Sequence, residues 1–199
     1  FDLLSRGPRS ATTRQATLRG AIDWSWGLLR EGEKRALAQC AVFQGGFTLD
    51  VTEEVLDLKG VPDAPWIVDV MQELRDKSLL RSYVDGSFDG ARLGLYESIR
   101  AYAAEKLAEM GDALPMWRRH AHSFVALAES LADDVHHRGR IEALRRLAIE
   151  QENIVAVVAR VKEASDRWPD GLSLALRALI GLEPVYSCAA LSTCICRCS

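Results

Sequence analysis

The amino-acid sequence predicts a mostly α-helical protein: a winged-helix unit of helices and a small β-hairpin, followed by an arm of antiparallel helices that starts an α-solenoid. Three observations predict it. From Trp66 to Lys77, Ile67, Val70, Met71 and Leu74 recur at three- and four-residue steps, the spacing of one helical face. The period then shortens: Leu79, Leu80, Tyr83 and Val84 form a β-prone run, Asp85-Gly86 and Asp89-Gly90 are turn dipeptides, and Leu93 and Leu95 alternate with Arg92, Gly94 and Tyr96. Beyond the hairpin every segment returns to a helical period. A two-stranded hairpin alone is marginal in water, so it is expected to rest on the helices beside it.

Taken in order, residues 1–13 read as a linker, with Gly7, Pro8, Ser10 and Thr12 and with Thr13 as an N-cap. Arg14 to Leu29 reads as a first helix on Leu18, Ala21, Ile22, Ser25, Leu28 and Leu29, its apolar face widened by Trp24 and Trp26, hence buried on more than one side. Arg30-Glu-Gly-Glu33 breaks it. Lys34 to Val42 makes a second helix, with Cys40 a small buried hydrophobe, and Gly45-Gly46 supplies the left-handed backbone that turns the chain sharply. Thr48 reads as the N-cap of a short third helix on Val51, Val55 and Leu56, and Pro65 suits the first turn of the next.

After the hairpin, Ser98 to Met110 carries Ile99, Tyr102, Ala103 and Leu107 on one stripe. From Leu114, the seam of Trp117, Ala121, Phe124, Ala128, Leu131 and Val135 marks a long helix ending near His136-His137-Arg-Gly139. Shorter helices follow on Ile141 to Ala148, on Ile154 to Val161 and on Leu172 to Leu182. The predicted division is a winged-helix domain over 14–111, a helical region over 112–183 without a clean repeat, and a Cys-rich tail over 184–199 read as disordered or artefactual.

Composition sets the bounds. With 48% hydrophobic and 27% charged residues and a net charge of −3, the chain has no field that draws it to nucleic acid or an anionic membrane. No long uncharged apolar run and no signal peptide is present, so cytoplasmic residence is expected, and the chain reads as cut from a longer protein. Cys188, Cys194, Cys196 and Cys198 crowd the end at a spacing that fits no common zinc pattern.

No chemistry-bearing motif stands out. There is no phosphate-binding Gly-Lys-Ser/Thr loop, dinucleotide fingerprint, nucleophile elbow or His-Glu-x-x-His, so no catalytic, cofactor or metal site is expected in the chain itself. His120, His122, His136 and His137 read as solvated or capping, and Glu53-Glu54 and Asp133-Asp134 as solvated faces. DNA contact through the helix before the hairpin is not expected: Asp69, Glu73 and Asp76 stand against Arg75 and Lys77, and Asp85 and Asp89 against Arg81 and Arg92. Phosphate binding needs an excess of positive charge.

Five strings carry a resemblance: Arg14-Gln-Ala-Thr-Leu-Arg-Gly-Ala-Ile-Asp-Trp-Ser25, Ala41-Val-Phe-Gln-Gly-Gly-Phe-Thr-Leu49, Asp76-Lys-Ser-Leu-Leu80, Leu95-Tyr-Glu-Ser-Ile-Arg-Ala-Tyr-Ala103 and Arg119-His-Ala121. In this order they resemble the segment after the nucleotide-binding core of bacterial STAND-class ATPases, which include transcriptional regulators of LuxR and antibiotic-regulatory type. The resemblance implies a winged helix between an upstream ATPase module, which would hold ATP or ADP, and a downstream tetratricopeptide-like sensor. It implies a non-catalytic regulatory role, with the rest of the protein as partner and a possible further protein partner on the arm. Arg14, Arg19, Asp23 and Trp24 are then the candidate contacts to the ATPase core; otherwise Trp24 is core and Arg19 with Asp23 a surface pair at i and i+4.

Overall fold

The computed structural model describes residues 8–62, 66–84 and 90–188, with side chains from residue 17 onward. Helix α1 (Pro8–Gly27) begins earlier than expected, so residues 8–13 are helical rather than linker. Proline at the first helical position is the physical reason: its fixed φ is helical, and the N–H it lacks would have had no helical partner.

Most of α1 is exposed rather than buried on more than one side: Trp24 is 70% exposed, and among the described side chains of the helix Ile22 is the buried one, with Leu29 buried just after its end. Helix α2 (Glu31–Cys40) starts at Glu31 rather than Lys34, because Glu33 turns back to accept the Arg30 backbone N–H at 2.8 Å. Its Ala36, Leu37, Ala38 and Cys40 are buried, and Gln39 fastens the backbone of Asp57 through both its N–H and its carbonyl, at 2.7 and 2.8 Å.

The turn after α2 uses its glycines as expected, Gly45 at φ +74° and Gly46 at φ +148°. A Cβ on Gly46 would lie 2.1 Å from the Tyr83 hydroxyl, so no side chain fits there. Helix α3 (Leu49–Val55) follows with Thr48 in the N-cap position, but the Thr48 hydroxyl makes no capping bond and is buried without a partner. Helix α4 (Ile67–Asp76) buries Val70, Met71 and Leu74 as its period predicts. Pro65, Asp85, Gly86 and Asp89 lie outside the described residues.

Strands β1 (Arg81–Val84) and β2 (Ala91–Gly94) pair antiparallel, with Tyr83 opposite Arg92 and Ser82 opposite Leu93. Leu79 and Leu80 precede the strand and are buried against the helices. Leu93 also pairs with Phe47 through N–H···O bonds of 2.9 and 2.8 Å, which adds a third, one-residue rung to the sheet.

Helices α5 (Glu97–Glu109), α6 (Ala113–Arg138), α7 (Ile141–Ile149), α8 (Gln151–Glu163) and α9 (Gly171–Gly181) follow, with a 3-10 turn at Ser165–Arg167, and residues 183–188 are helical again, so the start of the tail expected to be disordered is ordered chain. Helix α6 ends where expected, and Gly139 closes it in the left-handed conformation at φ +59°. The arm is organised about α6, which touches α7, α8 and α9 and also α3. The expected boundary near residue 112 is therefore not a gap in packing. One core runs from Ile22 to Leu182 and joins the hairpin-bearing half to the arm through Phe43, Phe47 and Phe124.

Of the terminal cysteines, Cys188 is exposed and Cys194, Cys196 and Cys198 lie outside the described residues. Cys40 is buried as expected, with its thiol pushed up by burial. No described helix is long and apolar enough to cross a membrane.

Phe124 is wholly buried at the junction of the two halves. Phe124→Ala is expected to lower unfolding free energy by about 3–5 kcal/mol, and Trp24→Ala, at an exposed site, by less than about 0.5 kcal/mol, both read by chemical denaturation.

Candidate functional site

The alternation of β2 places Arg92 on the face turned toward the glycine loop, and the structure covers that face. Arg92 and Glu150 have side chains only 1% exposed, 58 residues apart in sequence, and meet through two bonds of 2.5 and 3.1 Å. Arg92 Nη2, one of the two nitrogens that bond Glu150, also donates to the Gly46 carbonyl at 2.9 Å. Burial works to lower the pKa of the guanidinium, but the Glu150 carboxylate outweighs it and the net direction is up.

Asn153, in the first turn of α8, continues the network. It donates to the Gly46 carbonyl at 2.8 Å and to Glu150 at 3.1 Å, and accepts from the Gln44 backbone N–H at 2.7 Å. Arg160, two turns further on, donates to the Val42 carbonyl, and burial pushes its pKa down to about 10. The loop after α2, with its glycine-dictated carbonyls, is thus held by three side chains of the arm and hairpin. This is a buried polar clasp between the two halves of the molecule.

His120 completes it from α6. It is fully buried, not solvated as expected, with Nε2 3.4 Å from the Asn153 oxygen and its ring 4.5 Å from that of Phe124. Burial first, and then the neighbouring Arg160 charge, hold its pKa well below the ordinary imidazole value, against the opposing pull of Asn153. The other histidines conform to expectation: His122 is exposed, and His136 and His137 sit at the surface beside Glu183 and Asp133. Glu54 is exposed and accepts from Ser123, and Asp134 pairs with Arg138 and Arg140.

The residues singled out in α1 are placed differently. Arg19 does not pair with Asp23 as an i, i+4 neighbour; it reaches α5 and grips Glu105 by two bonds of 3.1 and 2.5 Å. Asp23 accepts from the Tyr102 hydroxyl at 2.7 Å; burial first, and then this bond, push that phenol's pKa up. Trp24 is not core. Arg19 and Asp23 therefore fasten α1 to α5 and leave Trp24 facing outward, whereas the side chain of Arg14 lies outside the described residues.

The outer face of α4 carries Val68, Asp69, Gln72, Arg75 and Asp76, with Trp66 exposed just before it. Its cations are largely matched, Arg75 by Asp76 at 3.7 Å and Lys77 by Glu33. Arg92, counted in the sequence as a wing cation, is withdrawn from solvent altogether.

Sequence reasoning missed the clasp. Asn153 amid Ile154, Val157 and Val161 was a polar residue on an apolar face, and His120 lies one turn before Phe124; both were available signals. Nothing local distinguishes Arg92 from a solvated strand arginine.

Comparison with known proteins gives two groups of relatives. Over 189 residues, 94% of this chain, the sequence is 35% identical to proteins of Mycobacterium bovis and of Mycobacterium tuberculosis named as inferred helix-turn-helix (HTH)-type transcriptional regulators. Over 127 residues, 60% of this chain, it is 33% identical to an uncharacterized protein of M. tuberculosis. The chain spans 20% of the length of the first relatives and 31% of the second. No described protein family and no solved structure matches.

Two outcomes test the clasp. Glu150→Ala strands a buried guanidinium and is expected to cost about 3–5 kcal/mol in chemical denaturation, whereas the paired replacement Arg92→Met with Glu150→Leu costs far less. For His120, the native imidazole stays neutral while the unfolded one protonates below about pH 6.5. Stability should then fall as pH drops below that value, by at most about 1.4 kcal/mol per pH unit for the one proton. His120→Leu should remove that slope in urea denaturation series across the window.

Proposed function

We propose that this chain is a non-catalytic regulatory segment of a bacterial transcriptional regulator, in which a winged helix is fastened to a helical arm and the two move as a coupled pair. The buried Arg92–Glu150 contact is the observation that carries this reading. A charge pair withdrawn from water has two favourable conditions, paired and dry or separated and hydrated, and intermediate separations are costly. An interface built on one is suited to a two-state rearrangement.

The winged-helix part is supported by the order α2, Phe47 rung, α3, α4, hairpin, with the hairpin resting on helices. The ATPase upstream and the tetratricopeptide-like character of the arm rest on sequence resemblance alone. The partners proposed are the remaining parts of the same protein, with the outward Trp24 face of α1 as the contact toward the nucleotide-binding side. ATP and ADP belong to that side and not to this segment.

A second reading is direct DNA contact by α4 and the hairpin, and the names of the mycobacterial relatives favour it over the ATPase part of the first. Those names describe proteins about five times as long, so they do not say which part touches DNA. Against it stand the matched charges of α4 and the burial of Arg92. The first reading expects no salt-sensitive affinity for duplex DNA in fluorescence anisotropy at low ionic strength. Tight binding that weakens steeply with salt, and is lost in Gln72→Ala with Arg75→Ala, would establish the second. Calorimetry with ATP on the same sample is expected to show no saturable heat.

A further inference from the structure

Two adjoining cavities of about 270 and 640 Å³ open between the hairpin and the first turn of α8, with Gly45, Arg81 and Glu152 in the walls of both. Cavities of this order take small molecules rather than macromolecules. Most charges around them are already matched. Arg92 is bound by Glu150, and Arg100 donates to Glu97 and to Gln44.

Two charges are left over. Among the described residues neither Arg81, on the hairpin wall, nor Glu152, on the α8 wall, has an ion-pair partner, and they do not pair with each other across the gap. Arg81 is nevertheless held in place, and Glu152 lies close over the glycine loop. The Arg81 guanidinium lies 5.1 Å from the Tyr83 ring centroid and 5.8 Å from that of Tyr96, which orients its planar fork. The Glu152 carboxylate lies over Gly45, where a Cβ would come within 2.5 Å of Oε2, so the glycine is what admits it.

We propose that this cavity binds a small molecule carrying one carboxylate and one ammonium group, the carboxylate gripped by Arg81 and the ammonium by Glu152. A simple anion drawn to Arg81 meets the repulsion of Glu152, and a simple cation meets the converse. A ligand with both charges satisfies the two walls together, and an oriented guanidinium grips a carboxylate through two parallel bonds. The site goes beyond the regulatory reading and stands or falls separately from it.

The test is calorimetric titration of the 199-residue chain with glycine, 4-aminobutyrate and 6-aminohexanoate, with acetate and ethylammonium as single-charge controls. At least one of the three zwitterions should bind saturably. Arg81→Gln and Glu152→Gln should each weaken it by roughly tenfold or more, with Arg81→Lys intermediate because the charge remains and the fork does not. Both positions are exposed, so the ligand-free thermal midpoint should stay near that of the parent. Absence of saturable binding by all three zwitterions, acetate binding as tightly as the best of them, or parental affinity in either Gln variant would overturn the assignment.

Discussion

The structure depends on the carbonyl and amide groups of one short loop, residues 42–46, being satisfied from outside the loop. Two consecutive glycines free the chain to turn there but leave backbone polar groups facing inward, where an unmet hydrogen bond is costly. Asn153, Arg92 and Arg160 meet them, and each brings another element with it. Asn153 and Arg160 bring α8; Arg92 brings the hairpin; Glu150 then neutralises the arginine and ties hairpin to arm directly. Once that loop is seated, Phe43 and Phe47 stack at 4.2 Å and present a surface to Phe124 and His120 of α6. Polar satisfaction and apolar packing thus converge on the same few residues.

This arrangement bears on function through its cost. Removing a guanidinium and a carboxylate from water is expensive, and a well-packed apolar pair would hold two elements together as firmly. What the ionic pair adds is geometric demand: it is favourable over a narrow range of positions and then fails abruptly. For the regulatory role proposed above, that abruptness is the useful property. The same withdrawal of Arg92 removes a cation from the hairpin, the surface on which a DNA-reading winged helix would most need one.

Much of the fold was legible because it is written in local spacing. The face of α4, the seam of α6 and the stop at Gly139 each follow from residues within a turn or two of one another, and so does the need for glycine at 45 and 46. The candidate site was far less legible. Arg19 and Asp23 have the spacing of a surface pair, yet each finds a better partner on α5, Glu105 and Tyr102, some eighty residues away. Trp24 looked like core because tryptophan usually is; the adjoining helix takes Ile22 and Trp26 instead, Trp26 edge-on to Tyr102 at 5.7 Å.

By itself the sequence determined the helical class, the position of the hairpin, the sharp turn at the double glycine and the small buried thiol of Cys40, all consequences of short-range sterics and periodicity. Only the tertiary structure decided that Arg92 lies dry against Glu150, that His120 is neutral core, and that Asn153 is the hub between them. Those roles depend on contacts spanning 58 residues for Arg92 with Glu150 and 118 for Arg160 with Val42. A strand arginine has the same local pattern whether it faces water or a buried carboxylate, and the difference lies in what the rest of the chain lays over it.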